Sequence, residues 1–198
     1  MVAPMQWPPP IPRRRPWEIW TAIGLAIIGL ASSACAEIWR GEAEIAFEAT
    51  STLHDFSGTA KTDPFALSVV LDGPQATLGG TATVAVARLD TRHARRDENM
   101  RKMFDSARFP LAIGVLENIR IDTQTVAPAS LDLTIRGRTT TVPAQIRNWR
   151  MENGALRFDG ELTLSLEEIG LSPPVLLGFI TVGDAVKVRV RAALEQAP

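Results

Sequence analysis

From Glu42 onward, apolar and polar residues alternate with a period of two. Ala43, Ile45, Phe47, Ala49 and Leu53 share one parity, and Glu44, Glu48, Thr50 and Thr52 share the other. Leu131, Leu133 and Ile135 alternate with Ser130, Asp132, Thr134 and Arg136. Leu156, Phe158, Leu162, Leu164 and Leu166 alternate with Arg157, Asp159, Glu161, Thr163 and Ser165, and Val186, Val188, Val190 and Ala192 with Lys187, Arg189 and Arg191. Shorter runs of the same kind cover 65–71, 81–89, 111–121 and 142–149. Successive side chains of a strand point to opposite faces, so each run predicts a strand with one dry face and one wet face.

Turn residues separate these runs: Asp72-Gly73-Pro74, Gly79-Gly80, Arg136-Gly137 and Glu152-Asn153-Gly154. Asn-Gly suits a tight hairpin because both residues tolerate positive φ. One-sided strands joined by short turns imply an antiparallel meander, and strands of about ten residues suit a closed barrel better than a small sandwich. The predicted fold is therefore all-β, an antiparallel up-and-down barrel of about eight strands, with a sandwich as the alternative. The run 93–106, HARRDENMRKMFDS, departs from this pattern. It has helical spacing, with Met100, Met103 and Phe104 on one side, Thr91 or Asp90 as the expected cap and Phe109-Pro110 as the stop. A second departure, 166–183, carries Pro173-Pro174 and an apolar run over 175–180, and predicts a short helix or loop across one end of the barrel.

The N-terminus follows a different pattern. A Pro-rich start and Arg13-Arg14-Arg15 precede an apolar stretch from Ile19 to Leu30, followed by Ala34-Cys35-Ala36. Basic start, short apolar run and small-residue ending describe a secretory signal peptide over residues 1–36, cleaved before Glu37. The apolar run is shorter than the roughly 20 residues of a membrane-spanning helix. Acylation of Cys35 is the minor alternative, since Ser32 stands where lipoprotein signals carry a branched apolar residue. The expected location is periplasmic or secreted. Cleavage would leave residues 37–198 as one domain without any thiol, which excludes a disulfide framework and cysteine-based metal sites.

Composition narrows the function classes. Hydrophobic residues make up 45% and charged residues 22% of the chain, as in ordinary globular proteins, and a formal net charge of -1 gives no electrostatic grip on nucleic acid. His54-Asp55 and His93 with Asp97 suggest a catalytic or metal role, but two histidines without HExxH spacing read more simply as surface or capping residues. No serine sits in a G-x-S-x-G elbow. Neither an enzyme nor a cofactor or metal site is expected. Trp39 and Trp149 are candidates for a membrane-facing rim.

The order of several segments resembles the YceI-like family of exported, lipocalin-like proteins. They are Phe47-Glu48-Ala49-Thr50-Ser51-Thr52-Leu53-His54-Asp55-Phe56-Ser57-Gly58; Leu89-Asp90-Thr91 with Arg96-Asp97, Met100-Arg101-Lys102-Met103-Phe104 and Phe109-Pro110; Leu131-Asp132-Leu133-Thr134-Ile135-Arg136-Gly137; and Gly183-Asp184-Ala185-Val186. The resemblance implies an elongated barrel that holds a polyisoprenoid, quinone or fatty chain, reached past the helix, with transient membrane or membrane-protein contact left open. The absence of Tyr departs from the aromatic interiors common in such barrels.

The candidate ligand-binding residues are Phe47, Val84, Val86, Leu131, Leu133, Ile135, Phe158, Leu162 and Val188 on strand faces, with Met100, Met103 and Phe104 on the helix. For each strand residue packed core is the simpler reading, whereas for the helix stripe packing serves about as well as binding. Arg88, Arg92, Arg95, Arg96, Arg101, Lys102 and Arg108 form a basic neighbourhood, balanced by Asp97, Glu98 and Asp105. Arg95 and Arg96 are the candidates for a head-group contact, because guanidinium binds carboxylate or phosphate in bidentate fashion. The alternative function is a non-enzymatic interaction module with a packed barrel.

Overall fold

A computed structural model describes residues 35–52, 54–172, 175–176 and 180–198, with side chains not described at 175–176 and 180–181. Residues 1–34, most of the expected targeting segment, lie outside the described residues, as do Leu53 and Pro173-Pro174.

The strands are β1 (Glu37–Ser51), β2 (Phe56–Lys61), β3 (Phe65–Asp72), β4 (Gln75–Ala85), β5 (Leu111–Asp122), β6 (Ala127–Ile135), β7 (Arg138–Glu152), β8 (Ala155–Ser165), β9 (Val175–Leu176) and β10 (Ile180–Gln196). The helix α1 (Ala94–Met103) stands between β4 and β5. Neighbouring strands are antiparallel, in the order β1-β3-β4-β5-β6-β7-β8-β10, and pairing of β1 with β10 closes these eight into a barrel. Closure leaves no free edge in that ring.

Strand β2 prolongs β3 along the same edge of β1, after a break at residues 62–64. Pro64 cannot donate to a ladder, and the buried Thr62 bridges the interruption. Its hydroxyl accepts the Ala43 N–H at 2.9 Å and its own N–H donates to the Ala43 carbonyl at 3.0 Å. Asn118 and Asn148 adopt positive φ where the ladders of β5 and β7 shift register. The hairpins at Arg136-Gly137 and Asn153-Gly154 have positive φ at both central residues, as the turn chemistry predicts.

Several boundaries differ from the sequence expectation. The first strand begins at Glu37, five residues before Glu42, and carries Trp39 into the core at 3% exposure rather than to a rim. Trp149 is half-buried against the same core and stacks on Phe158, with ring centroids 5.6 Å apart. The run expected as a strand over 81–89 ends at Ala85, and Val86–Arg88 form a single 3-10 turn. The helix is capped by His93, whose Nδ1 accepts the Arg96 N–H at 3.4 Å; Asp90 and Thr91 make other bonds. After β8 the chain makes a hydrogen-bonded turn through Leu166–Leu171, and Val175–Leu176 pair with Ile180–Thr181 as a two-stranded ribbon rather than a helix.

Two apolar clusters occupy the barrel. Around the start of β1 and the end of β10, Trp39, Leu67, Val69, Leu78, Leu156 and Leu194 are at most 3% exposed. At the other end Ile135, Leu166, Ile169 and Leu171 form a smaller cluster against which Met103 and Phe104 pack from the helix side.

Candidate functional site

Between the two clusters the barrel is hollow, with a cavity of about 590 Å³, within the roughly 300–1,000 Å³ of small-molecule sites. The cause is side-chain volume at inward positions. Gly114 on β5, Gly160 on β8, Ala82 on β4 and Ala144 on β7 line the space where larger residues would fill it. A Cβ built on Gly160 would meet only the Val190 side chain, at 3.5 Å, so the void begins at the backbone. Phe158, supported from behind by Trp149, helps form the floor together with Ala43 and Ile146.

The sequence candidates all reach this wall. Phe47 comes from β1, Val84 from β4, Val86 from the 3-10 turn, and Leu131, Leu133 and Ile135 from β6. Phe158 and Leu162 come from β8, Val188 from β10, and Met100, Met103 and Phe104 from the helix and its C-cap. Ile135 and Val86 are buried, whereas Val84, Leu131, Leu133, Leu162 and Val188 are only half-buried despite facing inward, because the cavity leaves them a free side. Phe47 can lie across β2 only because residue 58 is glycine: a Cβ there would come within 2.2 Å of the Phe47 ring and 2.8 Å of the Asp90 carbonyl.

The helix is fastened over the mouth by a compact polar knot. Thr91 donates from its hydroxyl (2.5 Å) and its N–H (2.9 Å) to Asp97 Oδ1, and both residues are buried. Burial alone would raise the Asp97 pKa, but the two Thr91 hydrogen bonds, with Arg101 and Arg96 nearby, outweigh it and hold the carboxyl below its ordinary value. Arg96 donates from Nε to the Thr91 hydroxyl and from Nη2 to its carbonyl, both at 2.8 Å, and its guanidinium lies 4.7 Å from the Phe56 ring centroid. Thr59 and Asp90 exchange backbone hydrogen bonds at 2.8 and 2.9 Å, tying this segment to β2.

The two head-group candidates therefore differ. Both line the cavity, but Arg96 is committed to Thr91 and Phe56, while Arg95 is exposed, makes no hydrogen bond or close ion pair among the described residues, and acts on Glu98 through its charge alone. His54, His93 and Asn99 also reach the cavity wall, which sequence reasoning missed. Asn99 lies one turn after Arg95 on the same helix face, a spacing visible in the sequence. His93 and Asp97 make no pair, because Asp97 turns to Thr91. No group of three or more His, Cys, Asp or Glu among the described residues is placed to hold a metal ion.

Comparison with known proteins agrees with this architecture. The model of one family, the YceI-like domain, matches residues 37–194. The crystal structure of BcnA from Burkholderia cenocepacia superposes with a TM-score of 0.62 at 17% identity, covering 77% of this chain and 95% of its own. A polyisoprenoid binding domain from Saccharophagus degradans, implicated in plant cell wall breakdown, gives a TM-score of 0.58 at 12% identity, covering 82% of this chain and all (100%) of its own. Identities this low speak for the fold alone. No curated protein matches the chain in sequence.

Proposed function

The chain belongs to the YceI-like domain family, and from that premise we propose that it is a non-enzymatic binding or carrier protein for a long hydrophobic molecule, working in the periplasm or outside the cell after loss of residues 1–36. The observation that carries this reading is the apolar hollow of about 590 Å³ beneath the helix. A closed eight-strand barrel can fill itself with side chains; this one places glycine and alanine where it would need leucine. The solved relative from Saccharophagus degradans is described as a polyisoprenoid binding domain, which makes a polyisoprenoid, quinone or fatty chain the cargo class of choice. Enclosing roughly 300–400 Å² of such a chain at about 25 cal/mol per Å² supplies ~8–10 kcal/mol before ordering costs, so affinity needs no catalytic machinery. The binding residues are then the wall itself, with Phe47, Leu131, Leu133, Phe158, Leu162 and Val188 around the chain and Met100, Met103 and Phe104 closing over it.

Native mass spectrometry of the protein purified from bacterial periplasm, followed by solvent extraction, tests the proposal. A stoichiometric long-chain adduct is expected. Gly160→Leu, which projects into the hollow, should lower uptake at least about tenfold while the thermal midpoint holds or rises. An apo mass that stays clean after incubation with polyprenols and quinones would replace the carrier with an interaction module.

A further inference from the structure

The hollow has a floor as well as a cover, and its dimensions follow from the strands that line it. Phe158, Ile146 and Ala43 form the floor at 7%, 4% and 3% exposure. Beneath them Trp39, Leu156 and Leu194 are at most 3% exposed and close the base. From this floor the lining climbs eight residues, Ala43 to Ser51 along β1 and Phe158 to Leu166 along and just past β8. At about 3.3 Å per residue and a strand tilt of about 40°, the depth is roughly 20 Å. A volume of about 590 Å³ over that depth gives a mean cross-section of roughly 30 Å².

Length and girth together restrict what fits. With C–C bonds of about 1.5 Å, an extended chain advances about 1.25 Å per carbon, so roughly 16 carbons, or about four isoprene units, span floor to mouth. Carbon atoms in contact stand about 3.5–4.0 Å apart, so a zigzag chain takes up roughly 20 Å² in section. The hollow therefore has room for one chain with methyl branches and not for two abreast. Particular residues set both limits. Gly114, Gly160, Ala82 and Ala144 provide the width, against the half-buried Leu131 and Leu162 of the same wall. The Phe158 ring sets the depth, and Trp149 stacked behind it holds it in place. A lipid with two tails would leave its second chain in water at the mouth, whereas a single-tailed lipid buries all of its apolar area.

Resting on the carrier reading above, we propose that the hollow is a single-file site: it takes one hydrocarbon chain of about 16 carbons, stopped by the Phe158 ring, and rejects lipids with two tails. The test uses the protein purified from the periplasm and stripped of lipid. It is titrated with primary alcohols from decanol to docosanol, and with monohexadecanoylglycerol against dihexadecanoylglycerol, each delivered from cyclodextrin at known free concentration. Affinity is expected to rise about two- to fourfold per carbon up to hexadecanol or octadecanol and then to level off. The monoacyl glyceride should bind at least about tenfold tighter than the diacyl one. Ala144→Leu fills space just above the floor and should move the plateau to chains shorter by roughly two to four carbons, while Phe158→Ala should lengthen them by a similar amount. Should Phe158→Ala fail to fold, Ala144→Leu decides, because its site borders open space. Affinity that climbs at the same slope through docosanol, equal binding of the two glycerides, or a plateau unmoved in folded Ala144→Leu would overturn the single-file site and leave the carrier standing. Failure of every alcohol and glyceride to bind would overturn the carrier and the single-file site together.

Discussion

The barrel is built from the same strands with the same alternation along its length, yet it is solid at its base and hollow above it, beneath the helix and the smaller cluster. At the end where β1 begins and β10 finishes, Leu67, Val69, Leu78, Leu156 and Leu194 are 0–1% exposed. Toward the helix, inward residues of those or neighbouring strands include Gly114, Gly160, Ala82 and Ala144, and even Leu131, Leu133 and Leu162 keep a free side. Alternation decides that a barrel forms, because it provides a dry face to bury. Volume at the inward positions decides whether that barrel is a core or a container.

The sharpest test of the contrast is truncation. Leu156→Ala at the solid end should cost about 2–5 kcal/mol in urea unfolding, because the neighbours cannot collapse into the gap. Leu133→Ala in the hollow should cost under about 1.5 kcal/mol, since its side chain already borders open space. Equal losses would mean the two ends are packed alike.

A smaller effect comes from the polar knot that holds the helix. Asp97→Asn removes the charge that accepts from Thr91 and should cost about 1 kcal/mol at neutral pH. The folded-state pKa of Asp97 lies below its ordinary value, so its contribution is full above that ordinary value and is lost as pH falls through the lower one. The difference between wild type and Asp97→Asn should therefore shrink on acidification, measured by unfolding midpoints from pH 7 downward. A gap that stays constant into the acid range would show that the carboxylate charge is not what holds the helix. Smallest of all, Gly154→Ala at the solid end should cost roughly 0.5–1 kcal/mol, a purely conformational penalty at φ +75° because a Cβ there meets nothing within 4 Å. It should leave binding at the opposite end unchanged.

Much of this was legible in the chain. Period-two runs located the strands around Leu133, Phe158 and Val188, and helical spacing located Met100 and Met103, because both patterns reflect what must be buried on a regular backbone. Less legible was what depends on pairing across distance. Trp39 looked peripheral because the alternation of Ile38, Trp39 and Arg40 gains meaning only when β10 and β3 flank them. Val86 looked like the continuation of a strand, but its N–H bonds to the Pro110 carbonyl and the chain turns. The hollow itself left a mark that went unread: Gly114 and Gly160 sit at inward parity inside strands, away from any turn. Distinguishing Arg95 from Arg96 needed the partners Thr91 and Phe56, which no local pattern reveals.

The seam between β1 and β10 has a further consequence. Trp39 lies opposite Gln196, and the Ala197 N–H donates to the Ile38 carbonyl at 2.8 Å, so the two ends of the domain adjoin. In strand order the polypeptide is a circle whose cut falls at this seam. Rejoined there by a short linker and reopened at the Asn153-Gly154 turn, it would visit the same ring in the same cyclic order. The seam starts at the sealed base, while Ser51 and Val182 mark the opposite pole beneath the helix. Both ends of the ring thus leave the barrel from its base, at the pole away from the helix.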